Sequence, residues 1–305
     1  MSQVVRNGGK RTFIQRFLTD PLFALMILFF WLLFRIMPVS MASFIGSGLG
    51  GLLPFFWRSK NKIALYNVKK CFPELSEKEQ RKIVRGMWHH FGRLIGEMPH
   101  IGTLLKRAKV CDNGILNAVA KDKKGAFIFS AHIGNWELAA PVVSSSGLPI
   151  HLVYRAANNP WIEKYFFQKR HLGGTSLIPK GLNGARQIIE VLKKGEKVAM
   201  LCDQKLREGI DVPFFGYPAK TAPAIATLAL KMNLPIYPGR VVREKGCHFR
   251  IDVFPAIPLP HTKDKEADVL AVMTHINAII EDWIRENPSQ WLWIHRRWDK
   301  SEYPK

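Results

Sequence analysis

The stretch Ala126 to Glu137 reads Ala-Phe-Ile-Phe-Ser-Ala-His-Ile-Gly-Asn-Trp-Glu. Its first five residues, Ala126 to Ser130, form a short apolar run of the kind that fills a buried strand, and Gly134-Asn135 supplies a turn just beyond it. Similar runs recur at Ile150 to Tyr154, Lys197 to Cys202, Pro235 to Val242 and Arg250 to Phe254. Helix-like stretches fall between or after them at Trp136 to Ser144, Trp161 to Leu172, Asn183 to Lys194, Ala222 to Met232 and Ala267 to Glu286. This alternation predicts an α/β fold, a single domain with a mixed, mainly parallel sheet covered by helices, and places ligands near the carboxyl ends of its strands.

Upstream of the alternation the charge disappears. From Leu22 to Trp57, 36 positions hold one ionisable residue, Arg35, and Leu22 to Phe34 is unbroken apolar sequence. Continued through Ile36 and Met37, the run falls just short of the roughly 17 to 25 residues of a spanning helix. Arg35 near its end is able to snorkel to headgroups. Pro38 separates this run from a softer, Gly-rich one, Val39 to Trp57. Arg6, Lys10, Arg11 and Arg16 precede the block, and Arg58, Lys60, Lys62, Lys69 and Lys70 follow it. Basic residues on both flanks argue against one clean crossing and favour a helical hairpin dipping into one leaflet or an interfacial anchor. A cleaved signal peptide fits less well, because the run starts late. The expected organisation is therefore a membrane anchor at 1–57, a basic helical region at the membrane interface at 58–109 and an α/β domain at 110–305. Over 58–109, 13 Lys plus Arg stand against four Glu, apolar residues recur at helical spacing from Ile83 to Ile95, and Ser76 with Glu79 reads as a capping box. Such a basic face is either solvated or laid on anionic headgroups.

Inside the apolar block, Gly46-Ser47-Gly48-Leu49-Gly50-Gly51 has the GxGxxG spacing of a dinucleotide-binding loop. No strand-turn-helix unit surrounds it, and Lys69 and Lys70 stand where the ribose-binding acid belongs. Small residues packing helices together is the better reading.

The 305 residues carry 45 Lys plus Arg against 24 Asp plus Glu, a formal net charge of +21, with 47% hydrophobic residues. That balance excludes a disordered basic tail and leaves nucleic acid, an anionic membrane, or an acidic protein or substrate as partners. The nearly uncharged N-terminal block reduces a basic nucleic-acid-binding protein to the remote alternative. Cys71, Cys111, Cys202 and Cys247 form no CxxC pair and no cluster with His. They read as packing residues, with neither a disulfide framework nor a metal centre expected.

The chemistry is expected at the end of the first strand. His132 and Glu137 are five residues apart, a spacing that keeps them from meeting on either a helix or a strand. They converge if His132 ends the strand, Ile133-Gly134 turns the chain and Asn135 caps a helix whose first turn holds Glu137. Glu137 then accepts from imidazole Nδ1–H and favours the imidazolium formed when Nε2 takes a proton. No GxSxG nucleophile elbow exists. A His–Glu pair without a nucleophile suits direct deprotonation of a substrate hydroxyl that attacks an activated acyl group.

His132 to Glu137 resembles the HX4D/E motif of the lysophospholipid acyltransferase superfamily. An ordered set of further segments resembles its late acyltransferases of lipid A biosynthesis, the lauroyl and myristoyl transferases of Gram-negative bacteria. These segments are Val153-Tyr154-Arg155, Arg170 ahead of Leu177-Ile178-Pro179-Lys180, Asp203-Gln204 followed by Val212-Pro213-Phe214-Phe215-Gly216, Thr221, and Pro288 to Trp298. Lys205 and Ala222-Pro223-Ala224 depart from the family pattern.

The resemblance implies a glycerol-3-phosphate-acyltransferase-like domain at the cytoplasmic face of a bacterial inner membrane, working without a cofactor among anionic lipids and with no nucleic-acid partner. It implies an acyl chain of lauroyl or myristoyl type carried on acyl carrier protein and passed to a hydroxyl of a hydroxyacyl chain on a lipid A precursor. The same superfamily acting on a phospholipid, glycolipid or aminolipid is the alternative. His132 is then the base and Glu137 its orienting partner, with Asn135 shaping the turn. Arg155 and Arg170 either clamp a substrate phosphate or stabilise the oxyanion, unless they are ordinary surface ion pairs. Asp203 and Gln204 stand at a strand end, where substrate contacts are expected. Trp283, Trp291, Trp293 and Trp298, beside His295, Arg296 and Arg297, read equally as the core of a terminal strand or as a lipid-interface belt.

Overall fold

A computed structural model describes residues 19–145, 147–163 and 175–304. The apolar block folds as two helices, α1 (Asp20–Ile36) and α2 (Val39–Phe56), broken at Met37-Pro38. Pro38 lacks the N–H a continuous helix would need and disfavours helical geometry at the residue before it, which is extended here. Both helices leave bulky apolar side chains uncovered, among them Phe23, Leu25, Phe29, Phe44 and Phe55. By length and composition α2 is able to cross a membrane. Arg35 donates to the Pro99 carbonyl at 3.2 Å, so its guanidinium binds the protein rather than reaching outward.

Next come α3 (Arg58–Cys71) and α4 (Glu77–Glu97), the latter opened by the expected Ser76–Glu79 capping box. The Gly46–Gly51 segment packs helices. Gly46 and Gly50 of α2 face Gly92 and Gly96 of α4 so closely that a Cβ on Gly92 would lie 2.1 Å from the Gly46 carbonyl oxygen.

A short turn and α5 (Ile101–Leu105) lead into the α/β part, which runs β1 (Ala108–Cys111), α6 (Ile115–Lys121), β2 (Ala126–Ser130), α7 (Ala139–Ser145), β3 (Ile150–Tyr154), α8 (Pro160–Ile162), β4 (Ser176–Pro179) and α9 (Leu182–Lys193). It continues with β5 (Lys197–Leu201), a hairpin of β6 (Lys205–Phe214) and β7 (Tyr217–Thr221), α10 (Ala224–Met232), β8 (Ile236–Arg243), β9 (Phe249–Val253) and α11 (Lys265–Glu286). Seven strands form one sheet in the order β1-β9-β8-β2-β5-β3-β4, parallel at every step except β8 against β9. The expected α/β class and mainly parallel sheet hold. Of the four strands that periodicity overlooked, β1 and β4 have four residues each, too few to register a pattern, and β6 and β7 form the separate hairpin. Of the helix expected from Trp161 to Leu172, Pro160–Ile162 is present and residues 164–172 lie outside the described ones.

Alternating side chains divide the core between the two faces of the sheet. Phe127 and Phe129 of β2 pack with α3, α4 and α9 to α11, whereas Ile128 packs with α5 to α7. Residues 58–97 therefore share their core with the sheet, and β1 begins at Ala108, inside the stretch expected to be interfacial. Trp283, Trp291, Trp293 and Trp298 are all buried, which decides for the core and against a lipid belt. Trp283 lies in α11; the other three lie in a segment that is no regular strand. It crosses the carboxyl end of the sheet as an irregular strap, joined to the end of β2 by an antiparallel bridge between Ile133 and Trp291 and by backbone hydrogen bonds from Gly134 to Gln290 and from Leu292 to His132.

Candidate active site

Strands β2 and β5 are parallel neighbours with Ser130 opposite Leu201. His132 and Asp203 each lie two residues beyond that final pair, so the register alone delivers them side by side at the carboxyl end of the sheet. The His132 backbone N–H donates to Asp203 Oδ2 at 2.9 Å, and the His132 ring meets Asp203 Oδ1 through Nδ1 at 2.8 Å. Trp291, carried in by the C-terminal strap, donates its indole N–H to Asp203 Oδ2 at 2.8 Å. Burial alone would push the Asp203 carboxyl up. The charge of His132 and the three hydrogen bonds outweigh it and hold the group well below the usual carboxylate range.

The other ring nitrogen faces a second imidazole. The Gln204 amide nitrogen is 3.1 Å from His132 Nε2 and 3.0 Å from His295 Nε2. The Asp203 carboxylate only accepts, so His132 carries a proton on Nδ1, and the neutral ring leaves Nε2 as its acceptor. His132 is thereby a base in waiting: Nδ1–H is fixed on a buried carboxylate and Nε2 is left as the acceptor beside the Gln204 amide. His295 is held by Asn67 of α3, which donates to the carbonyls of Trp293 and His295 at 2.7 Å each. Burial, and then neighbouring His132, push the His295 imidazole down to about 4, leaving it neutral at physiological pH. Among the described residues no group of three or more His, Cys, Asp or Glu side chains is placed to hold a metal ion.

A strand-end His with its Nδ1 on a buried acid and its Nε2 left as acceptor fits proton abstraction from a hydroxyl, and comparison with known proteins says on which kind of enzyme it stands. The sequence model of the family described as bacterial lipid A biosynthesis acyltransferase matches residues 13–300. The chain belongs to that family. It is an acyltransferase of lipid A biosynthesis type. It is 27% identical to the lipid A biosynthesis lauroyltransferase of Escherichia coli (strain K12) over 88% of both chains. It is also 27% identical to the lipid A biosynthesis palmitoleoyltransferase of the same organism, over 90% of this chain and 89% of the other. A phosphatidylinositol mannoside acyltransferase of Mycolicibacterium smegmatis is 22% identical over 65% of this chain and 64% of its own.

In this acyltransferase the sequence-derived candidates separate. His132, Asp203 and Gln204 converge. Asp203 was expected to bind substrate, yet it fills the place at Nδ1 that the motif spacing gives to Glu137. Half-buried Glu137 lies in the 3-10 turn Trp136–Leu138, which runs directly into α7. Asn135 makes no capping bond through its side chain; it is buried and donates to Glu97 Oε2 at 2.9 Å. Arg155 is exposed, directly after β3 at the same end of the sheet. Arg170 lies outside the described residues. Trp291 and His295 are the residues that sequence reasoning left without a role, although the resemblance ran through both. Lys205, where the family pattern differs, reaches the Trp298 carbonyl at 3.0 Å and Asp299 at 3.3 Å and so anchors the strap.

Proposed function

We propose that this acyltransferase moves a lauroyl- or myristoyl-type chain from acyl carrier protein to a hydroxyl of a hydroxyacyl chain on a lipid A precursor, at the cytoplasmic face of the bacterial inner membrane. The observation that carries the mechanism is the His132–Asp203 pair with Nε2 left as acceptor. Nε2 takes the hydroxyl proton as the oxygen attacks the thioester carbonyl. The tetrahedral intermediate collapses with breakage of the C–S bond, and the imidazolium returns its proton to the departing thiolate, so the ester forms with no net proton change. Asp203 keeps the tautomer and stabilises the imidazolium. The Gln204 amide, which lies between the two imidazoles, is a donor suited to the developing oxyanion.

Glu137, one short turn along from His132, keeps a supporting part in this proposal as a second negative charge favouring the imidazolium. Arg155 and Arg170 are assigned to phosphates of the glycolipid. The uncovered faces of α1 and α2 suit a bilayer, and Asn159, just past Arg155, donates to the Asp20 carbonyl at 2.8 Å, which ties the start of α1 to the segment after β3, at the carboxyl end of the sheet. That juxtaposition favours a lipid acceptor, and the glycerol-3-phosphate-acyltransferase-like arrangement implied by the motifs belongs to the same proposal. The mycobacterial relative supports a second reading, in which the chemistry stays and the acceptor is a different glycolipid. Mass spectrometry of lipid A from a deletion strain separates the two: loss of one secondary acyl chain is expected, and unchanged lipid A with an altered glycolipid would move the assignment to the second reading.

A further inference from the structure

The turn that presents His132 is fixed from behind by a buried ionic cluster that the mechanism does not use. Glu97, the last residue of α4, is fully buried. Arg243 of β8 meets it with two nitrogens, at 2.6 Å on Oε1 and 2.8 Å on Oε2. Desolvating a carboxylate and a guanidinium is costly unless every group finds partners, and two further groups complete this one. Asn135, three residues past His132, donates to Oε2 at 2.9 Å, and Ser43 of α2 donates to Oε1 at 2.6 Å. The Ser43 hydroxyl is itself oriented by Arg93, which donates to it at 3.1 Å. The backbone of Arg243 is tied to Gln290, whose carbonyl accepts from Gly134 N–H at 3.1 Å, and Gly134 lies so close to β8 that a Cβ would meet the Val241 carbonyl oxygen at 2.0 Å.

One carboxylate therefore joins an uncovered apolar helix to the catalytic turn. We propose that Glu97 is a positioning residue, holding the turn that carries His132 through Asn135 and linking it through Ser43 to the seating of α2. This rests on the reading of His132 as the base. Ser43 and Asn135 occupy different oxygens of the same carboxylate, so loss of either bond lets Glu97 turn and weakens the other. The consequence is that α2 contributes to turnover as well as to attachment, and that detergents or lipids that reseat α2 alter kcat more than KM.

The test uses the full-length protein in micelles, as wild type and as Ser43→Ala, Asn135→Ala, their double variant and Glu97→Gln. Ser43→Ala deletes one oxygen from a packed site and is the variant that keeps the fold if Glu97→Gln does not. Hydrogen exchange over residues 131–136 is expected to rise about threefold or more in Ser43→Ala while β2 and β8 keep their protection. Its kcat is expected to fall about tenfold with the donor KM unchanged, the scale of loss from a misplaced catalytic group. The two single losses are expected to combine to less than their product in the double variant. Unchanged exchange over 131–136 in Ser43→Ala would overturn the proposal, as would losses that simply multiply. A wild-type protein that transfers no acyl group would instead overturn the functional reading, and the exchange measurement still judges the linkage.

Discussion

Asp203 accepts from the His132 backbone, the His132 ring and the Trp291 indole, and each donor lowers the cost of keeping a carboxylate buried at the end of β5. Trp291→Phe keeps an aromatic ring but removes the indole N–H and part of the buried volume. It is expected to lower kcat about tenfold, the scale for a hydrogen bond to a charged group, and to lower the melting temperature as well. A kcat within twofold of wild type would show that the indole packs without orienting the acid. His132 was legible from its motif, and Asp203 was recognised as lying at a strand end; their partnership was not, because 71 residues separate them and the local spacing pointed to Glu137. A usable signal lay in the strand ends themselves. Two adjacent parallel strands stopping at Ser130 and Leu201 put residues 132 and 203 at equal height. The role of Trp291 was hidden for a related reason, since a buried indole and a lipid-facing one have the same sequence.

Between elements, the contact of α2 with α4 is set by glycines. A Cβ on Gly92 would sit 2.1 Å from the Gly46 carbonyl oxygen, whereas one on Gly48 meets nothing within 4 Å. Gly92→Val is therefore expected to force the helices apart and destabilise the protein by about 3 kcal/mol, at the upper end of overpacking costs. Gly48→Ala is expected to be neutral or to add up to about 1 kcal/mol from helix propensity. Thermal unfolding of both in the same detergent checks the contrast, and equal midpoints would contradict the tight-packing account. Elements with a clear period, such as β2, β3 and α11, could be read directly. The hairpin of β6 and β7 could not, because its residues alternate between burial and exposure irregularly and its pairing slips register between Lys205 and Ile210.

At the scale of the molecule, charge and burial set how it responds to pH and to lipid. Burial, with Arg243 beside it, pushes the His90 imidazole down to about 3, and His295 lies at about 4. Between these values and the ordinary 6.5 the unfolded chain takes up protons that the folded chain refuses, so stability is full above about pH 6.5 and declines as the pH falls toward 4. His90→Gln is expected to flatten that decline in denaturant titrations at pH 7, 6 and 5; an unchanged slope would remove His90 from the account. The uncovered apolar faces of α1 and α2 predict that detergent, and not high salt, releases the protein from membranes. Under the proposed function the net charge of +21 would serve anionic headgroups, a phosphorylated acceptor and an acidic carrier. The most direct test of the central claim is the single-turnover rate of acyl transfer from acyl carrier protein to a tetra-acylated lipid A precursor in wild type, His132→Ala, Asp203→Asn and the double variant. The account predicts that each single variant loses about 10² to 10⁴ in rate and that the double variant loses no more than the worse single, as residues acting as one unit do. Retention of rate within tenfold in Asp203→Asn, or losses that multiply in the double variant, would contradict it.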